Sequence, residues 1–292
     1  MARLLCTSLV GGTLVLLAAC QTDTGPAGPR PDTTGGTPAT VTPPASTPAR
    51  TPTDTGLTAP QRLTLLADTL VSTPDDSATT VLPYEYLHTR NWNRATNAIV
   101  RTDTQRWRHA DGSGREVTRR APDLQGVHHQ PTRDEQELFD AAEPTTIRYR
   151  PGELATHLPD VFPSDTDTLI ARLVPPELAA EPTYPRLLVD RVVAMASHHH
   201  LDPQQRAATL QVLAAVPGIT YQGLTTDLAG RTGMSFHVVA EQSTSSLVID
   251  PTNGQVLSAE ERVDSLRPGL FTYVLIVARG RAGTDRDPAS HS

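Results

Sequence analysis

"MSFHVVAEQSTSSLVIDPTNGQVLSAEE", residues 234–261, decides the fold class of this chain. Met234, Phe236, Val238 and Ala240 alternate with Ser235, His237 and Glu241, the period-2 pattern of a strand covered on one face. Asp250-Pro251-Thr252-Asn253-Gly254 then breaks the run as a hairpin turn, and "QVLSAEE" leaves it as a second strand. Two strands joined this tightly must pair antiparallel. "LFTYVLIVA" (270–278) is a further, buried strand, too short to cross a bilayer as a helix.

Upstream, the period changes twice. Asp165 leads into Leu169, Ile170 and Leu173; Leu188, Val192 and Met195 mark a second helix. Asp202-Pro203 caps a third, with Ala207, Leu210, Leu213 and Ala214 as its buried stripe. Before these, "TTVLPYEYLHTRNW" (79–92), "NAIVRTDTQRWRHADGSGREVTRR" (97–120) and "TTIRYRPGEL" (145–154) are extended, with Asp111-Gly112-Ser113-Gly114 as a turn. "VHHQPTRDEQELFDAAEP" (127–144) is polar and irregular, the composition of a surface excursion. Thr58 and Gln61 form a capping box ahead of a helix that presents Leu63, Leu66, Ala67, Leu70 and Val71 on one face. Strands and helices without βαβ alternation give the α+β class: an antiparallel sheet, curled in the half-barrel reading, packed with several helices. The globular domain is expected over residues 57–279, with a disordered tail at 280–292.

The N-terminus supplies an address. Met1-Ala2-Arg3 is a short basic segment, and Leu4–Leu17 is an apolar run too short for a comfortable membrane span. Leu17-Ala18-Ala19-Cys20 has the small residues and cysteine of a lipoprotein processing site, so residues 1–20 read as a signal peptide and Cys20 as the lipidated first residue of the mature chain. Two acyl chains anchor stably because each buried CH₂ contributes about 0.8 kcal/mol. Residues 21–56 are Thr, Pro, Gly and Ala with almost no large apolar side chains, a disordered linker that lifts the domain off the membrane. The expected setting is therefore extracytoplasmic, with the membrane as a partner through the anchor. The two cysteines, Cys6 and Cys20, leave the domain no internal disulfide. A net charge of −7 weighs against nucleic acid as a partner.

No catalytic constellation emerges. There is no G-x-S-x-G elbow, and "SDTDT" (164–168) lacks the Gly and distal Glu of a calcium loop. His198, His199 and His200 point about 100° apart on a helix and close its last turn, where solvated histidines suit the dipole. His128, His129 and His157 lack ligand spacing, so neither metal nor cofactor is expected. Arg106, Arg108, Arg115, Arg119 and Arg120 gather near Trp107 as an exposed hairpin face.

Residues 213–263 carry a resemblance. Val216-Pro217-Gly218-Ile219, Asp227-Leu228-Ala229-Gly230-Arg231-Thr232-Gly233 and the hairpin Asp250 to Glu260 resemble the C-terminal block of a family of uncharacterised actinobacterial envelope proteins. "YEYLHTR" and "RWRHADGSGREV" are similar to that family's N-terminal half. Its members commonly carry a transmembrane helix and are often encoded near extracytoplasmic sigma factors; this chain departs in carrying a processing site. The strand-rich halves are more distantly similar to half-barrel lipoproteins of the LolA and RseB type, in which a sheet curls over helices and leaves an apolar hollow. Two functions follow as expectations. One is a non-catalytic binding or sensing module that holds a lipid or other apolar ligand, its hollow lined by Ile99, Trp107, Met234, Phe236 and Val238. The other is a protein-interaction partner in envelope or sigma-factor signalling. A hydrolase is the third and least supported.

Overall fold

The computed structural model describes residues 56–72, 82–154, 163, 165–265 and 267–286. The signal peptide, Cys20, nearly all of the linker and His157 lie outside the described residues.

Among the described residues nine strands each pair antiparallel with their neighbours in one sheet ordered β4-β3-β2-β1-β9-β8-β7-β6-β5. The first four are β1 (Tyr84–Arg94), β2 (Ala98–His109), β3 (Gly114–Gln125) and β4 (Pro144–Tyr149). The other five are β5 (Thr220–Thr226), β6 (Thr232–Ala240), β7 (Ser243–Ile249), β8 (Val256–Val263) and β9 (Gly269–Ala282). Each group is a meander in chain order, and the pairing of β1 with β9 joins them. The sheet is open and half-barrel-like, with β4 and β5 as its edges, so the α+β expectation holds.

Among the described residues five α-helices accompany it: α1 (Ala59–Ser72), α2 (Gln136–Asp140), α3 (Thr166–Leu173), α4 (Tyr184–His198) and α5 (Pro203–Ala214). Asp202 caps α5 as expected, its side chain accepting from the Gln205 amide at 2.8 Å while Gln205 reaches back to the Asp202 amide. The Thr58–Gln61 capping box opens α1. Leu63, Leu66, Ala67 and Leu70 are buried, but Val71, in the last turn of α1, stands exposed.

The main core lies between one sheet face and helices α1, α3, α4 and α5. It takes Phe236 and Val238 from β6, Leu247 and Ile249 from β7, Ala259 from β8, and Val274 and Ile276 from β9. The opposite face is closed by the β3–β4 connection. This segment, expected as a surface excursion, instead plugs the sheet: Phe139 is fully buried against Trp92, and Trp92 in turn meets Tyr273, both edge-on at about 5.5 and 5.4 Å. Gly269 sits where this segment touches β9, at φ +132°, and a Cβ there would lie 2.2 Å from the Val127 carbonyl oxygen. Strand β9 continues to Ala282, which is buried, so the domain extends three residues beyond the expected boundary.

Candidate functional site

One row of paired residues runs across the helix-bearing face of eight strands. From β3 to β5 it reads Arg120, Thr102, Asn91, Val274, Ala259, Leu247, Phe236, Tyr221. The row changes character at β1. From β9 to β5 its residues are apolar and lie under the helices; from β1 to β3 they are polar. The next row repeats the polar half as four threonines in line, Thr89, Thr104, Thr118 and Thr145, one from each of β1 to β4. Strand spacing puts neighbouring members of this row about 4.8 Å apart.

Helix α4 borders the polar half. Asp190, Ala194, Ser197 and His198 recur at i, i+4, i+7 and i+8, which places them on the side of the helix away from its buried stripe of Leu188, Val192 and Met195. Between this side and the sheet run two connected grooves. One, of about 240 Å³, is lined by Val189, Val193 and Ala194 above and Val274, Ala259 and Glu261 below. The other, of about 110 Å³, continues over Thr89, Thr104, Arg106 and Glu116. Asn91, Ser197 and His198 line both. The track crosses from β8 to β3, four strand spacings or about 19 Å. It begins at the carboxylates of Asp190 and Glu261 and ends at an ion pair, Arg106 with Glu116 at 2.7 Å. A wider depression of about 570 Å³ between β3 and α2 is open to solvent, and its Arg120 is already paired with Asp123.

The five residues expected to line one hollow are divided among three clusters. Phe236 and Val238 are fully buried in the main core, with Met234 packed against its margin. Ile99 belongs to the cluster under the β3–β4 segment, on the other face. Trp107 packs there too, in a third cluster with Tyr86 at 5.1 Å, and Arg115 stacks on its outer side. Helix side chains fill the volume that a hollow beside Phe236 and Val238 would need. The arginines near Trp107 also separate by strand alternation: Arg106, Arg108 and Arg120 share the helix-bearing face, while Arg115 and Arg119 take the other.

The histidine run is not solvated as expected. His199 is 1% exposed and its Nδ1 lies 3.2 Å from a Glu85 carboxyl oxygen. Burial opposes the Glu85 charge, but the His199 contact, with Arg281 and Arg108, holds its carboxyl below the usual range. His200 is pushed down to about 4 by burial and by Arg281, Arg206 and Arg279. The sequence placed these residues correctly at the end of α4 but gave no sign that β1 would meet them.

On the plugged face, Glu135 accepts from Trp92 Nε1, Arg101 Nη1 and the Thr132 amide at 2.8, 2.8 and 2.9 Å, and pairs with His129 at 2.7 Å. Beside it, Asp103 accepts from Arg90 Nε at 2.7 Å and pairs with His88 at 2.8 Å. Burial opposes both carboxylate charges, yet these donors hold both below the ordinary range. Glu135 thus ties the loop to the sheet directly, while Asp103 holds Arg90, which donates to Gln136 of the loop at 2.6 Å.

No family model matches this chain, nor does any curated protein. Among solved structures, that of the Pseudomonas aeruginosa MucA/MucB complex matches at 15% identity over 76% of this chain and 56% of the other, with a TM-score of 0.28. A structure of MucB in complex with MucA(peri) matches at 13% identity over 76% and 54%, with a TM-score of 0.29. The chain spans little more than half the length of these solved chains. At such scores the likeness carries neither a fold nor a role to this chain.

Proposed function

We propose that the protein is a non-catalytic, extracytoplasmic binding module, anchored through Cys20, that holds an extended segment of a partner polypeptide of the envelope along the track between α4 and the open half of the sheet. The observation that carries this reading is the row from Arg120 to Tyr221: its apolar half is covered by helices, and its polar half, half-buried at Asn91 and Thr102 and exposed at Arg120, lies beside a groove. A track of about 19 Å accommodates about six residues of extended chain at 3.3 Å each. The half-buried Thr104 and Thr118 offer hydroxyl donors and acceptors to a passing backbone, while Thr89 is buried and accepts from the Asn91 amide at 3.2 Å. A partner in sigma-factor signalling, implied by the family resemblance, is one such polypeptide.

A photo-crosslinking side chain placed at Ser197, which lines both grooves, is expected to yield a protein adduct in cells. The same group at Val71, exposed on α1, is expected to yield none. Equal adducts from both positions, or none from Ser197, would overturn the assignment of the track. For the anchor, Cys20→Ala is expected to move the protein from the membrane fraction to the soluble one; unchanged fractionation would remove the lipoprotein reading.

A further inference from the structure

At its β8 end the track holds an acidic site that lacks a counterpart. Glu261 is 5% exposed, and its Oε1 has no hydrogen-bond partner among the described residues. Ser245, opposite it on β7 and 3% exposed, has an Oγ in the same condition. Thr272, opposite Glu261 on β9, turns its hydroxyl to Asn93 at 2.7 Å. From α4 the half-exposed Asp190 overlooks the same space. Among the described residues, one cation bridges the two carboxylates: Arg186, whose Nε lies 3.5 Å from Glu261 and 3.8 Å from Asp190 and hydrogen-bonds neither. Two carboxylates thus share one loosely placed guanidinium, which leaves a negative charge against the apolar walls of Val189, Val193 and Val274.

A buried carboxylate oxygen and a buried hydroxyl without partners are costly features, and a protein retains them most readily where a ligand completes them. We propose that this end of the groove is a cation site that takes an ammonium or guanidinium group carried on an apolar stem, the chemistry of a lysine or arginine side chain in the bound segment. The charged head would donate hydrogen bonds to the Glu261 and Asp190 carboxylates and to the Ser245 hydroxyl oxygen while its methylenes lie along the valines. The inference rests on the segment-binding reading for its source of cations, because a free alkylamine has the same chemistry.

Burial and the nearby Asp190 raise the Glu261 carboxyl, and burial raises Asp190 against the pull of Arg186 and Arg191. Glu260 of β8, paired with Arg262, also lines the groove, and His198 stands at its far end. A cation favours the ionised carboxylates, so its affinity should rise with pH through their raised range and level off above it.

The test uses the full chain and calorimetric titration with three probes: a blocked pentapeptide Ala-Ala-Lys-Ala-Ala, its norleucine counterpart, and cadaverine. The lysine peptide is expected to bind about tenfold tighter than the norleucine peptide, and Glu261→Gln to remove that preference without lowering the melting temperature. Equal binding of the two peptides, or a preference that survives Glu261→Gln, overturns the cation site while leaving the segment reading intact. Cadaverine binding that depends on Glu261, without peptide binding, supports the cation site and overturns the segment reading. No binding by any probe overturns the cation site.

Discussion

Glu135→Ala is expected to lower the unfolding free energy by about 3–5 kcal/mol, because it strands Arg101, 3% exposed, as a buried charge without its carboxylate. The same change leaves the Trp92 indole N–H without its acceptor and releases the Thr132 amide and His129. Glu135 is the point at which the β3–β4 segment is held down, so the loss should expose Phe139 and Trp92 together. Equilibrium denaturation with tryptophan fluorescence measures both effects. A loss below about 1 kcal/mol, the scale of an exposed ion pair, would show that the segment is held by apolar packing alone. The sign of the pH dependence follows from the depressed carboxyl. A group held below its ordinary value of 4.5 contributes stability that is present above that value and lost as pH falls through the lower, folded one. Wild-type protein should therefore lose stability on acidification, and Glu135→Ala should lose less over the same interval.

Phe236→Ala is the second large effect, expected at about 3–5 kcal/mol with a melting temperature lower by about 2–4 °C for each kcal/mol. The ring is fully buried, 5.5 Å from Tyr221 and directly opposite Leu247. Its deletion leaves a void that the helices above can collapse into only in part. This experiment also separates core from hollow. A residue that lines an empty ligand cavity can be truncated at little cost in the unliganded protein, so a change under about 1 kcal/mol would restore the apolar-hollow reading for β6.

The strands and helices were legible because their periods are clean. Met234, Phe236 and Val238 at alternate positions, and Ala207, Leu210 and Leu213 at helical spacing, could form only the elements observed. The β3–β4 segment was not legible. It carries a single large aromatic, Phe139, among charged neighbours, and its burial depends on carboxylate bonds made to strands distant in sequence. The candidate site was hidden for a related reason. Thr89, Thr104, Thr118 and Thr145 are unremarkable in four separate stretches, and only the register of four strands brings them into one line. Glu261 likewise reads as a polar strand position until α4 is laid over it. Alternation shows which residues share a face of one strand; it does not show which half of a wide sheet a helix will leave uncovered.

The seam between β1 and β9 sets Tyr84 opposite Ala282, so the first strand of the domain waits for the last. Each meander can form from local hairpins, but their union requires closing the loop from Tyr84 to Ala282, a slow step by contact-order reasoning. Until that closure, both β1 and β9 present unpaired backbone to any neighbouring strand, the condition in which chains misassociate. Completion of β9 is therefore the commitment step of folding, and a chain cut short within it would be left with two adhesive borders in the middle of its sheet.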